Sequence, residues 1–128
     1  MRIVKFRVYN DLLKNYLPDD SVCILPNGDI VLYNLAAMIA AYRRPSDMLE
    51  GENTVEQFTG LEDKNGTEIY EGDILIDDAG EPIEYWVVKF SEGGFIGECA
   101  GVAEPLFELT NLEVVGNIHK DPELVEKK

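Results

Sequence analysis

Residues Gln57 to Leu75 read QFTGLEDKNGTEIYEGDIL, and this stretch decides the fold class. Strand-like runs flank Asn65-Gly66, a pair suited to positive φ at both centres of a tight hairpin turn, and Ile69 and Ile74 flank a second break at Gly72-Asp73. Asn65, Gly66, Gly72 and Asp73 are therefore expected to be turn residues with a structural role. No catalytic apparatus accompanies the stretch, so it speaks to fold and not to chemistry.

Downstream the pattern stays strand and turn. Strands are expected at Val55 to Leu61, Thr67 to Tyr70, Asp73 to Asp77, Ile83 to Phe90, Phe95 to Ala100 and Leu112 to Ile118, with further turns at Asp78-Ala79-Gly80 and Glu92-Gly93-Gly94. Short strands at this spacing predict a mainly β protein built on a small, strongly bent barrel or two packed sheets. The order Gly72-Asp73-Ile74, Trp86 to Phe90, then Gly94-Phe95 is similar to SH3-like barrels, an analogy of fold that carries no function. Along Tyr85 to Phe90 one alternate set faces the core, with Trp86 and Phe90 expected in it, and the other, with Tyr85, meets solvent or a partner. Asp121-Pro122 supplies a cap and a first-turn proline for a short helical turn over Pro122 to Lys127.

Upstream, Ile3 to Tyr9 reads as a strand, and Ser21 to Leu25 with Ile30 to Tyr33 as an N-terminal hairpin around Pro26-Asn27-Gly28-Asp29. Asn34 caps one short helix, Leu35 to Tyr42, which Arg43-Arg44-Pro45 ends. Ser46 to Asn53 follows as a polar surface loop. The helix is apolar all round: Leu35, Met38, Ile39 and Tyr42 share one face, and Ala36, Ala37, Ala40 and Ala41 occupy the other. One small barrel covers only one side, so the uncovered face is expected to meet a second copy, making the chain a homo-oligomer.

At 128 residues the chain is expected to be a single domain, 1–128, with a variable portion 1–56 and a signature-bearing portion 57–128. Its 45% hydrophobic and 28% charged residues suit a globular protein. The net charge of −14 is unevenly spread: residues 1–56 hold 6 basic and 8 acidic residues, net −2, and residues 57–128 hold 5 basic and 17 acidic, net −12. Such a surface repels phosphates, so direct nucleic-acid binding is not expected, whereas a basic host protein would be attracted. No signal segment or long apolar run suggests secretion or a membrane, and Cys23 and Cys99, in no metal or redox spacing, read as buried free thiols of a cytoplasmic protein.

The candidate chemistry is thin. Asp63-Lys64-Asn65-Gly66 resembles the start of a calcium loop, but the twelfth position is Ile74 where a glutamate is needed. Asp73, Asp77 and Asp78 could bring carboxylates together, yet no partner base, nucleophile or phosphate-holding loop completes a site. His119, the sole histidine, reads as a surface residue. No catalytic, cofactor-binding or metal residues are therefore expected.

The quoted residues also carry a resemblance. Phe58-Thr59-Gly60-Leu61, Asp63-Lys64-Asn65-Gly66 and Ile69-Tyr70-Glu71-Gly72-Asp73-Ile74 resemble the core signature of the YopX family, small proteins of bacteriophages and prophages. Lys5-Phe6-Arg7, Trp86 to Phe90 with Gly94-Phe95, Leu112 to Ile118 and Asp121 to Leu124 agree in order and spacing. The resemblance implies a fold, a phage or prophage origin and a cytoplasmic setting, with no activity or cofactor to carry over. Together these readings favour a non-enzymatic accessory protein that self-associates and binds proteins. An acidic decoy for a host nucleic-acid-binding protein and a metal-dependent hydrolase are the alternatives.

Overall fold

The structure is a computed structural model that describes residues 5–17, 22–24, 30–32 and 53–125. The expected helix over Leu35 to Tyr42, with the interface candidates Leu35, Met38, Ile39 and Tyr42, lies outside the described residues. So does most of the loop after it. The fold is mainly β, and the chain divides into two compact units, Met1–Phe6 with Glu56–Lys128, and Arg7–Val55.

In the second unit, β1 (Phe6–Asn10, from Arg7 onward) pairs antiparallel with β2 (Asn15–Tyr16), Tyr9 opposite Tyr16 and Asn10 opposite Asn15. The fully buried Asn10 makes the turn: its Oδ1 accepts from the N–H groups of Leu12 and Leu13 at 3.1 and 2.8 Å. The sequence reading missed β2, which is only two residues long. β3 (Val22–Ile24) and β4 (Ile30–Leu32) form the expected hairpin, with Cys23 opposite Val31.

The first unit begins with β5 (Asn53–Glu62, from Glu56 onward) and β6 (Glu68–Tyr70), paired at Phe58 with Tyr70 and at Glu62 with Glu68. The Lys5 carbonyl accepts from the Phe58 N–H at 2.8 Å, while its ammonium pairs with Glu68 and lies 5.0 Å from the Phe58 ring centroid. β7 (Asp73–Asp77), β8 (Glu84–Ser91), β9 (Gly94–Cys99), β10 (Val102–Pro105) and β11 (Glu113–Asn117) form an antiparallel sheet in the order β10-β9-β8-β7-β11. This sheet curls strongly into a half-barrel. The β8–β9 and β9–β10 hairpins turn on Glu92-Gly93 and Ala100-Gly101, both residues of each pair at positive φ, which matches the twist of the flanking strands.

Register sorts the sheet faces. Leu75 lies opposite Trp86 and Val88 opposite Gly97, and these inner positions meet Ile69, Leu106, Leu109 and Leu112 in one buried core. Each fully buried aliphatic side chain there contributes about 1.5–3 kcal/mol. Gly97 makes room for the core to close, because a Cβ on it would collide with Cδ1 of Leu109 and touch the Trp86 ring. Leu106–Glu108 forms a single 3-10 turn that inserts Leu106 into this core.

Four expectations need correction. In the hairpin turn Gly66 has φ +84° but Asn65 is not left-handed; the turn closes from the Gly66 N–H to the Asp63 carbonyl at 3.0 Å. Phe90 shares the parity of Trp86 but sits at the strand end, and it is exposed, not buried. Cys99 is a half-buried free thiol at the margin of the core. Pro122–Leu124 is one 3-10 turn whose cap residue Asp121 makes no side-chain cap bond; its carboxylate instead accepts from the Asn117 N–H at 3.2 Å.

Candidate functional site

Two of the residues expected as turns, Gly72 and Asp73, sit in one buried polar cluster. Gly72 has φ +87°, a conformation open to glycine, and its N–H donates to the Val88 carbonyl while its carbonyl accepts from the Ile118 N–H, each at 2.9 Å. The space where its side chain would stand is filled by the carboxylate of Glu56, which is 4% exposed. Oε2 of Glu56 lies 2.7 Å from Nε2 of His119. Asp73, also buried, accepts from the Tyr70 N–H at 2.8 Å, and the Glu71 carboxylate accepts from the Gln57 N–H at the same distance. The cluster thus ties β5, the β6–β7 turn and the segment after β11 together.

His119 is therefore not a surface residue: its side chain is 17% exposed and held by a buried carboxylate. A carboxylate behind an imidazole also orients the base of nucleophilic catalysts. Glu56, however, rests on backbone at Gly72, and its contact with His119 spans 63 positions of sequence, as a clasp between distant segments does. Nothing local in the sequence signals this pair.

Asp63 is a second clasp. Its Oδ1 accepts from the N–H groups of Asn65 and Thr67 at 2.8 and 2.9 Å, and its Oδ2 from that of Val114 at 2.9 Å. Burial pushes its pKa upward, but the three backbone donors, with Lys64 beside it, outweigh burial and hold the carboxyl below its ordinary value. Both oxygens that would have served a calcium loop are engaged by main chain. Asp77 accepts from the Ala79 N–H at the end of β7, Asp78 is exposed, and among the described residues no three His, Cys, Asp or Glu side chains are grouped to hold a metal.

The face of the five-stranded sheet turned away from the hydrophobic core is of another kind, and it buries Ile74 completely. Tyr85 lies opposite Ile76, Val87 opposite Ile74, and Ile96 opposite Lys89, whose ammonium pairs with Glu98 on the same face. Ile76, Tyr85, Val87 and Ile96 are all half-buried, an apolar band across three strands. Tyr85, the interface candidate within the described residues, thus sits in this band while Trp86 faces the core.

The family model described as YopX protein matches residues 5–126. No curated protein matches the chain. Among solved structures, it is similar to the crystal structure of protein EF1440 from Enterococcus faecalis, with 28% identity, a TM-score of 0.67, and coverage of 98% of this chain and 100% of that one. Among the described residues, no helix is long and apolar enough to cross a membrane. With its signature strands, turns and clasps placed and a match over nearly its whole length, the chain belongs to the YopX family.

Proposed function

We propose that the chain is a non-enzymatic accessory protein of a phage or prophage, acting in the host cytoplasm through self-association and protein binding. The observation that carries this reading is the half-exposed band of Ile76, Tyr85, Val87 and Ile96 on the sheet face turned away from the core, beside the buried Ile74, apolar area of the kind that association covers. The apolar pattern of Leu35, Met38, Ile39 and Tyr42 adds sequence support.

An acidic decoy fits less well. A decoy needs rows of free carboxylates, and Glu56, Asp63, Glu71, Asp73 and Asp121 all bind His119 or main-chain N–H groups. Glu68, Glu98 and Glu113 face lysines. The hydrolase alternative fares no better, because Asp73 is buried and bonded to its own turn.

The test is light scattering coupled to size exclusion on Tyr85→Glu and Met38→Glu beside the parent chain. Loss of assembly in either variant with retained β-sheet circular dichroism supports the reading and locates the interface. Unchanged assembly in both removes these surfaces from it. Metal-dependent hydrolase turnover abolished by Asp73→Asn would overturn the non-enzymatic assignment.

A further inference from the structure

From Phe90 to Leu112 the chain holds four glutamates and no lysine, arginine or histidine. The structure brings Phe90 and the start of the Leu106–Glu108 turn to one end of the sheet, whereas Leu112 leads into β11 toward the other end, where Glu113 stands opposite Ile76. Phe90 stands opposite Phe95 beside the Glu92-Gly93 turn, the two rings 5.1 Å apart and edge to face. β10 leaves β9 at Pro105 opposite Ile96 and passes directly into the Leu106–Glu108 turn at that same end. There Phe90 is 53% and Phe107 67% exposed.

Phe107 is not a loose side chain. Leu106 before it is wholly buried, its carbonyl accepts from the Leu109 N–H at 2.8 Å, and Leu109 itself lies in the core. The turn thus anchors two leucines inside and presents Phe107 outward. Glu92, two positions after Phe90, and Glu108, next in sequence to Phe107, are exposed, and Glu104 is half-buried. Glu98 belongs to the other face, where Lys89 neutralises it. The end of the sheet therefore combines exposed phenyl rings on β8 and on the Leu106–Glu108 turn with two exposed glutamates, and the exposed lysine at this end, Lys120, follows β11 on the far side of β7.

We propose that this end of the sheet is a docking surface for a basic amphipathic segment of another protein, its apolar side chains seated on Phe90 and Phe107 and its lysines or arginines facing Glu92 and Glu108. Charge selects this occupant: a second copy of a chain with net charge −14 would add to the negative charge, whereas a cationic segment complements it. The rings supply affinity and the glutamates supply steering and salt dependence. The proposal rests on the protein-binding reading above and concerns a surface distinct from the Tyr85 band.

The probe is a fluorescein-labelled helix of leucine and lysine, roughly two heptads long with leucine at i, i+3, i+4 and i+7. Its anisotropy is read against the full chain at low and physiological salt, beside a scrambled peptide and a leucine–glutamate version. Saturable binding of the amphipathic cationic helix alone is expected, weakened about tenfold or more by Phe107→Ser. Glu92→Gln with Glu108→Gln is expected to flatten its salt dependence. Phe107 is mostly exposed, so its replacement leaves the core intact, and circular dichroism checks this. No saturable binding, equal binding of the scrambled peptide, or binding indifferent to Phe107→Ser overturns the proposal. So does dissolution of a parent oligomer by Phe90→Ser with Phe107→Ser, which would assign this end to a second copy. If the peptide fails to bind while assembly through Tyr85 persists, this proposal falls and the self-association reading stands.

Discussion

Glu56 and His119, 63 positions apart, meet at 2.7 Å in a buried contact beneath which Gly72 offers no side chain. The imidazole is one of the contacts that hold the buried Glu56 carboxylate. Replacing His119 by alanine withdraws it, and His119→Ala is expected to cost about 1–3 kcal/mol in urea unfolding. A change within the error of the measurement would show that Glu56 does not depend on the pair.

Asp63→Ala removes the acceptor for three backbone donors and should cost about 2 kcal/mol or more at neutral pH. The pH dependence has a definite sign. The folded-state pKa lies below the ordinary 3.8, so the unfolded chain binds the proton more readily. The contribution of Asp63 is complete above about pH 4 to 5 and is lost as pH falls through the folded value. The stability gap between parent and variant should therefore be level from pH 5 to 7, as a rough window, and narrow in acid. A gap that widened in acid would contradict the assignment.

Gly97→Ala places a methyl group against Leu109 and the Trp86 ring. Overpacking of this kind costs about 1–3 kcal/mol. Leu109→Ala made in the same chain clears the space, so the two losses should sum to less than their separate values in a double-mutant cycle. Strict additivity would mean that the contact does not set the packing.

Cys99 is half-buried, and burial first, then the nearby charges of Glu84 and Asp77, push its thiol above the ordinary value of 9.0 despite a bond to the Tyr85 backbone. Thiolate is the reactive form, so alkylation of Cys99 near pH 8, followed by peptide mass mapping, should be several-fold slower than in the urea-unfolded chain. Equal rates would place the sulfur outside this environment.

Particular elements show what sequence reading reaches. Asp73–Asp77 was legible to the residue, because Gly72-Asp73 punctuates its start and its apolar run faces two layers. β10 was not, since Val102-Ala103-Glu104-Pro105 has no clean alternation and Ala100, at φ +51°, is an unexpected residue for the turn that starts it. Asn65 misled for a local reason: the Asp63 carboxylate, two positions earlier, accepts from the Asn65 and Thr67 N–H groups and fixes the turn from outside the Asn-Gly pair. Alternation placed Trp86 correctly but buried Phe90 too, as periodicity does not register where a core ends. The Glu56–His119 clasp was invisible because only the fold brings its halves together. Among the interface candidates, Tyr85 has a described setting, whereas Leu35, Met38, Ile39 and Tyr42 lie outside the described residues.

Association, proposed above for this YopX protein, is read from its mass in solution by light scattering across concentration and salt. Apolar association of a chain with net charge −14 must overcome self-repulsion, which added salt screens. A mass above that of one chain is expected at tens of micromolar, rising or holding steady as salt increases. A strict monomer under all those conditions would contradict it.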